Sequence, residues 1–373
     1  MSDALERLLG SAKKYWFMGA LILIVLVALW YRMGVINSFV VPTYGNTMYH
    51  VGIERETILT GHYPRYELSY GGGFPNFYVP AYRLLISSMS VATGIDPMVM
   101  SGLMTITIAI FVLLAMFAVA YRLSCNLYVA LFAAFFFLMS PEITIFTIRP
   151  LPELLGLFMV PFTLYFVIRR DWPIAAIGAA ITALTHQMTL ATLAAVIGAY
   201  MAFQLARAGW DFYRKKGGYK EPLSTALWCL MPIMAACITY GFWQLYTLGT
   251  ISLSGIAQVV YREGNVVDLP LFLRTGVFVL PFFAIGVAYI ASSMGNSKKA
   301  EGEYGCTITI DAALLMFAWA AITLLLTFND KLGIHIFMDR FFTFFVQIAI
   351  IIAGFGMYAL LDAIGLDVLK VKP

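Results

Sequence analysis

The amino-acid sequence predicts an all-α polytopic membrane protein with about ten transmembrane helices. The chain has 373 residues, of which 61% are hydrophobic and only 12% are charged. Soluble domains are usually about 45–50% apolar and about 25% charged. Apolar segments also recur from one end of the chain to the other. We therefore interpret residues 1–373 as a single transmembrane domain and expect no soluble domain at either end.

The predicted spans are apolar segments that approach the length of about 20 residues that a bilayer requires. They are residues 16–35, 98–120, 127–141, 151–168, 173–186, 188–206, 223–247, 270–293, 312–328 and 341–361. The fifth and sixth segments almost touch at His186, which predicts a tight hairpin or a broken helix. The apolar run 79–93 is short and contains Arg83, so we interpret it as a helix lying on the membrane surface.

Basic residues predict how the chain is oriented. If the N-terminus faces the cytoplasm, 15 of the 24 Lys and Arg residues fall in cytoplasmic segments, as the positive-inside rule requires. The C-terminus then also lies inside, and residues 36–97 form a long first extracytoplasmic loop that carries surface helices. We expect a multi-pass protein of the plasma membrane, with the endoplasmic reticulum as the alternative location.

The first outer loop contains most of the candidate polar residues. Loops longer than about 12–15 residues are usually functional or disordered, and this one is too rich in aromatic side chains for disorder. Polar groups at membrane depth are costly and usually mark a site. The alternative is a structural cap whose tyrosines lie among the lipid headgroups. The candidates are Asn46, His50, Glu54, Glu56, Glu67 and Tyr70.

Further candidates lie at the outer ends of later spans. Glu153 begins a span, where a carboxylate either caps the helix or has a functional role. His186 lies between two spans and either binds a phosphate or caps a helix. Arg340 enters the last span after Asp339. An arginine at this place suits a phosphate anion, and the alternative is pairing with Asp339 or snorkelling to the membrane surface.

Several common chemistries lack their sequence signatures here. The chain has no phosphate-binding Walker loop, dinucleotide fingerprint, Cys/His metal cluster or Gly-x-Ser-x-Gly motif. A cytoplasmic nucleotide-driven machine is therefore disfavoured, and we expect no nucleic-acid partner. The polar residues gather on the predicted outer side, where a substrate carried by a membrane lipid fits better than a free nucleotide.

Four stretches of the chain resemble motifs of one enzyme superfamily. Residues 46–50 with 61–64 are similar to its acid-x-x-x-His stretch and later Gly-x-x-Pro, and residues 74–82 to its Pro- and Tyr-rich entry into a surface helix. Ser140-Pro141 with Arg149 and Glu153 resembles the acidic motif of the second loop. Asp339-Arg340-Phe341-Phe342 is similar to the arginine that enters a late span in archaeal members. With these motifs and its layout, the chain resembles short archaeal members of the GT-C superfamily of membrane glycosyltransferases.

The resemblance implies a glycosyltransferase that uses a sugar carried on a polyprenyl phosphate at the extracytoplasmic face. Its partners would be membrane lipid, the lipid-linked sugar and an acceptor glycan, lipid or protein. The lipid phosphate would meet Arg340, with Arg149 or His186. A divalent cation, Mg²⁺ or Mn²⁺, could assist, with Glu153 as a ligand. The residues expected to contact donor or acceptor are Asn46, His50, Glu153 and Tyr70.

Asn46 departs from the pattern of the superfamily. An Asp or Glu, acting as general base or metal ligand, usually stands where this chain has Asn46, whose amide cannot take a proton. Either Glu67, Glu54 or Glu56 replaces it, with Glu67 preferred, or the chain is a non-catalytic accessory or lipid-binding subunit. A transporter or lipid flippase is the other alternative. It would need polar groups near the bilayer midplane, but charged residues are almost absent from the interiors of the predicted spans.

Overall fold

The structure is a computed structural model, and it describes most of the chain. The described residues are 2–39, 44–67, 73–76, 78–215, 217–251, 271–295, 308–333 and 338–365. The predicted site residue Tyr70 lies outside them. Asp339 belongs to a described helix, but its side chain lies outside the description.

The described part of the chain is a bundle of helices joined by short connections. The helices are α1 (Ser2–Asn37), α2 (Asn46–Thr60), α3 (Ala81–Thr93), α4 (Pro97–Ser124), α5 (Leu127–Met139), α6 (Pro141–Thr147), α7 (Pro152–Arg169), α8 (Trp172–Thr185), α9 (Gln187–Tyr213), α10 (Lys220–Trp228), α11 (Leu230–Leu248), α12 (Leu271–Thr275), α13 (Val279–Gly295), α14 (Ile310–Thr327) and α15 (Met338–Ala363). Short 3₁₀ turns precede α10 and follow α14.

The multi-pass helical architecture is confirmed, while the count of ten spans stays a prediction. Among the described residues, seven helices are long and apolar enough to cross a membrane, namely Tyr15–Asn37, Pro97–Ser124, Pro152–Arg169, Gln187–Tyr213, Gly217–Leu248, Ile310–Thr327 and Arg340–Ala363. An eighth is counted if α5 and α6, which meet at a 74° bend, form one span. The remaining two predicted segments coincide with the shorter apolar helices α8 and α13. The orientation and outer-loop assignments also stay predictions.

The last helix, α15, lies at the centre of the bundle. Its spanning window is 78% buried, whereas that of α1 is only 11% buried. Small residues permit the close approach of α15 to α13, because a Cβ added at Gly356 would overlap the carbonyl oxygen of Phe282 and one at Gly286 would overlap that of Ile352. Membrane helices pack closely where small residues face each other. The bundle therefore closes around α15, and α1 lies at its edge.

The described part of residues 36–97, the predicted first outer loop, forms two helices and one small sheet. α2 and α3 pack against each other and against α4, and α3 confirms a helix within the run 79–93. The strands β1 (Tyr66–Glu67) and β2 (Phe74–Pro75) pair antiparallel, with Glu67 opposite Phe74. An all-α description misses this sheet, because two-residue strands leave no hydrophobic period that a sequence pattern could reveal.

Candidate active site

Three helix ends meet at one side of the bundle and bring together side chains from distant parts of the chain. Glu153 lies in the first turn of α7, and Arg340 in the first turn of α15 donates a hydrogen bond to its carboxylate. His186, the single residue between α8 and α9, places Nε2 3.6 Å from Glu153 Oε1. All three side chains are largely buried. The charges of Glu153 and Arg340 are therefore shielded from water and interact more strongly than they would at the surface.

A second arginine lies beside this ion pair. The guanidinium carbon of Arg149 is 4.7 Å from the ring centroid of Tyr44 and 5.0 Å from that of Phe146. Tyr44 and the charge of Arg149 both act on Arg340. Two guanidinium groups thus lie near each other, and one of them, Arg340, pairs with the carboxylate of Glu153. The excess positive charge and the many N–H donors suit a phosphate group.

Arg83 is fully buried beneath the first outer loop and organises it. Its Nε donates a 2.9 Å hydrogen bond to Nδ1 of His50. Its Nη1 donates to the hydroxyl of Tyr63 at 2.8 Å and to Oδ1 of Asn76 at 3.3 Å. These partners belong to α2, to the segment before β1 and to the segment after β2. One guanidinium fork therefore fixes three pieces of the loop relative to α3.

His50 connects the loop to the ion pair of the helix ends. Because an arginine can only donate, Nδ1 of His50 accepts from Arg83, and the proton of the neutral ring resides on Nε2. Burial, together with the charges of Arg83, His186 and Arg340, lowers the pKa of His50 well below its usual value. The ring of Tyr78 meets that of His50 edge to face at 5.5 Å. The neutral ring of His50 can therefore donate a hydrogen bond from Nε2, and the positively charged Arg83 and Arg340 lie near it.

Glu67 brings a carboxylate to the same loop cluster. It lies in β1, is only 8% exposed, and lies close enough to the hydroxyl of Tyr49 to act on its ionisation. Within the described part of the chain, its Oε1 has no hydrogen-bond partner. Burial raises the pKa of Tyr49, and Glu67 adds to that effect while Arg83 opposes it. A buried carboxylate oxygen without a partner is costly, and it is available to accept a proton or a hydrogen bond.

The structure places the other loop candidates apart from this cluster. Glu54 is fully buried and turned toward α4, where Ser101 donates a 3.3 Å hydrogen bond to its Oε2. Burial raises the pKa of Glu54 to about 8, against the opposing effects of Ser101 and Arg83. Glu56 is half-buried and Asn46 is exposed at the start of α2. Neither of these two makes a side-chain hydrogen bond to another described residue.

The described residues contain no ready set of ligands for a divalent metal ion. No three His, Cys, Asp or Glu side chains among those residues lie close enough together to hold a metal ion. The candidate ligand Glu153 already pairs with Arg340 and lies beside His186. A metal ion would have to compete with that guanidinium. We therefore derive no chemical step through a metal.

An apolar groove opens next to the loop cluster. Its volume is about 440 Å³, and it begins at Tyr63, whose hydroxyl is bonded to Arg83. The groove runs between the first outer loop, the end of α8 and α11. The side chains that line it are mostly apolar or aromatic, and they include Tyr63, Leu84, Leu184, Phe242, Trp243 and Tyr246. A hydrocarbon chain could lie there with one end at the polar cluster.

The site residues that sequence reasoning missed are Arg83 and the tyrosines around it. Arg83 was interpreted as an interruption of a surface helix, whereas its side chain points inward. The guanidinium carbon lies 4.9 Å from the ring centroids of both Tyr49 and Tyr78. The signal was present, since an arginine within an apolar run is itself a sign of a buried functional or structural contact.

Comparisons with known proteins identify the fold but no sequence relative. No protein-family model and no curated protein sequence matches the chain. Among solved structures, the apo oligosaccharyltransferase of Archaeoglobus fulgidus superposes with a TM-score of 0.65 at 14% identity, covering 96% of this chain and 53% of that enzyme. The same enzyme, AglB, in complex with an inhibitory peptide and a dolichol-phosphate gives a TM-score of 0.64 at 13% identity, over 95% and 51%.

The chain shares the fold of GT-C membrane glycosyltransferases. A second enzyme supports this, since ArnT from Cupriavidus metallidurans, bound to undecaprenyl phosphate, superposes with a TM-score of 0.54 at 12% identity over 92% of this chain and 60% of ArnT. The resemblance found in the sequence is thereby confirmed at the level of the fold. The chain spans about half the length of the archaeal oligosaccharyltransferase.

Proposed function

We propose that this chain is a glycosyltransferase that takes a sugar from a polyprenyl phosphate on the extracytoplasmic face of a plasma membrane. The observation that carries the proposal is that the loop cluster, centred on His50 and Arg83, lies near enough to the ion pair of Glu153 with Arg340 for the charge of Arg340 to act on His50. Ionisable groups at membrane depth are costly and persist where they bind or react. The structural neighbours were solved with dolichol-phosphate and with undecaprenyl phosphate, which supports this class of ligand.

The proposed phosphate site is the pair of arginines at the helix ends. Arg340 and Arg149 would both donate to the oxygens of the lipid phosphate, and Glu153 would hold Arg340 in place through their hydrogen bond. Hydrogen bonds between charged partners are roughly twice as strong as neutral ones. As the bond from the anomeric carbon to the phosphate oxygen breaks, its electron pair stays on the phosphate. These arginines would stabilise that developing charge.

The proposed general base is Glu67. It would take the proton from an acceptor hydroxyl, whose oxygen then attacks the anomeric carbon as the phosphate departs. Base assistance of this kind is typically worth about 10²–10⁴-fold in rate. Among the described residues, both Glu67 and Glu54 have an Oε1 without a hydrogen-bond partner. The position of Glu67 beside Tyr49 favours it over Glu54, which faces Ser101 in α4. Nε2 of His50 would donate a hydrogen bond to the donor or acceptor.

The proposed place for the polyprenyl tail is the groove that begins at Tyr63. It is lined by apolar and aromatic side chains from the loop, α8 and α11. Burial of isoprene carbons there would gain about 25 cal/mol per Å² of apolar surface. The phosphate end would then leave the groove at Tyr63 and extend past the loop cluster to Arg340 and Arg149.

The decisive experiment measures binding and turnover together. Purified full-length protein in detergent would be offered radiolabelled polyprenyl-phosphate sugars with candidate acceptors, with and without Mg²⁺ or Mn²⁺. We expect release of polyprenyl phosphate and a labelled acceptor. Glu67→Gln should bind the donor lipid but lose transfer by at least about 10²-fold, and Arg340→Ala should lose binding.

Two control variants distinguish a specific loss of transfer or lipid binding from misfolding of the protein. Arg55→Ala removes an exposed arginine of α2 that pairs with Asp96 away from the cluster, and Glu221→Gln removes an exposed carboxylate elsewhere; both should retain transfer.

Binding without turnover across several sugars and acceptors would favour a non-catalytic lipid-binding subunit, with Asn46 as the explanation. Wild-type transfer by Glu67→Gln would overturn its assignment as the base. Absence of lipid binding would favour a transporter.

A further inference from the structure

A polar cavity lies at the end of the bundle opposite the candidate active site. α7 has 18 residues and is therefore about 27 Å long. Glu153 lies in its first turn and Arg169 in its last. The cavity, of about 380 Å³, is formed where α4, α7 and α9 end and α14 begins. It therefore opens on the other membrane face.

The cavity carries more positive than negative charge. Four arginines line it, and two carboxylates face them. Asp311 accepts from Arg170 at 2.6 Å and from Arg207 at 2.7 Å, and Arg170 also pairs with Glu221 at 2.8 Å. The other two lining arginines, Arg122 and Arg169, form no ion pair with a carboxylate in the described ranges.

The environment of the cavity is that of a membrane surface. Trp210, Tyr213 and Trp228 are exposed at the same end of the bundle, as expected for side chains at the level of lipid headgroups. Ile310 lines the cavity and is also exposed. A ligand could therefore place a charged group among the arginines while its apolar part remains in the bilayer.

We propose that this cavity binds the phosphate headgroup of an anionic phospholipid from the cytoplasmic leaflet. Basic pockets between membrane helices bind such headgroups, and guanidinium groups suit phosphate oxygens. Arg122 and Arg169 would contact the phosphate directly. Asp311 positions Arg170 and Arg207. Its Oδ1 also accepts a 2.9 Å hydrogen bond from the side-chain amide of Gln204. This inference does not depend on the proposed transfer reaction.

The test compares lipids bound to the purified full-length protein by native mass spectrometry. Phosphatidylglycerol should be retained at least about tenfold more tightly than phosphatidylcholine. The double variant Arg122→Gln/Arg169→Gln should weaken phosphatidylglycerol binding by about tenfold or more. Glu221→Gln should strengthen it, because that variant raises the positive excess. A gain of affinity cannot be produced by a folding defect.

The control variant is Arg214→Gln. Arg214 stacks on Trp210 at the same end of the protein but does not line the cavity, so its loss should leave lipid binding unchanged. Equal retention of the two lipids would overturn the proposal. An equal loss in Arg214→Gln would show that surface charge alone attracts the lipid. Saturation of the cavity by millimolar inorganic phosphate, without preference for the anionic lipid, would identify a soluble anion as the ligand instead.

Discussion

Arg83 donates a 2.9 Å hydrogen bond from Nε to Nδ1 of His50, and both side chains are buried. This contact joins α3 to α2, which a stretch of 20 residues separates in the chain. It also fixes the tautomer of His50, because the arginine can only donate. The charge of Arg340 also acts on His50. The arrangement of the loop itself depends on one guanidinium group, that of Arg83.

We predict that Arg83→Lys will lose most sugar transfer while the helical content stays close to wild type. A lysine ammonium is a compact point charge and cannot reproduce the planar fork that serves His50, Tyr63 and Asn76 together. A buried polar group left without its hydrogen bond costs about 1–3 kcal/mol, so thermal stability should fall as well. Circular dichroism and transfer assays on the same sample would measure both, and wild-type transfer by Arg83→Lys would contradict this role.

A second prediction concerns Glu153→Gln. The Glu153 carboxylate and a lipid phosphate would both be partners of Arg340, so removal of one negative charge should raise the affinity for polyprenyl phosphate. We expect an increase of about tenfold, which corresponds to about 1.4 kcal/mol. Isothermal titration in detergent would measure it, with the uncharged polyprenol as the control ligand. Weaker binding of the phosphate by the variant would contradict this prediction and would show that holding Arg340 in place matters more than the competition from the Glu153 carboxylate.

The spans were predictable because lipid imposes a simple requirement on the sequence. A segment must be apolar over about 20 residues, and each of the ten predicted segments coincides with a described helix or helix pair. The break at His186 was also predicted, and it is a single extended residue with φ −164° and ψ 135°. Such features are local, so composition and spacing are enough to find them.

The pairings within the site could not be predicted from local sequence. Arg340 was expected to bind a phosphate, to pair with its neighbour Asp339 or to snorkel, and the described residues give it a further partner, Glu153, which is 187 residues away. Arg274 and Glu142, which form a bidentate ion pair, are similarly distant. Which helix ends meet is decided by packing of the whole bundle, and a hydropathy pattern contains no information about it.

A third prediction tests the packing between α13 and α15. Gly356→Ala should lower the melting temperature of the protein, because the added methyl group would overlap the backbone of α13 at Phe282. Overpacking of this kind typically costs about 1–3 kcal/mol. Gly198→Ala in α9 is the matched control, since a Cβ there meets no neighbouring atom and alanine favours helix more than glycine does. Equal stability of the two variants would contradict the close approach.

The last prediction concerns the pH dependence of stability that Glu54 imposes. Its pKa is raised by burial from 4.5 to about 8 in the folded protein. Between these two values the folded state binds more protons than the unfolded state, so stability is greatest at low pH in this range and falls as pH rises toward 8. Glu54→Gln cannot ionise and should lose this dependence. The variant should therefore gain stability relative to wild type at pH 9, and much less at pH 5.

Thermal unfolding of the purified protein at a series of pH values would measure this difference. Ser101→Ala provides a second arm, because Ser101 donates the hydrogen bond that favours the ionised form of Glu54. Without that donor, the pKa of Glu54 should rise further, so the loss of stability should continue to higher pH and become larger in total. If Glu54→Gln instead showed the same pH dependence as wild type, Glu54 would be ionised in the folded state throughout the range. Its carboxylate would then be available as a base, and the preference for Glu67 would have to be reconsidered.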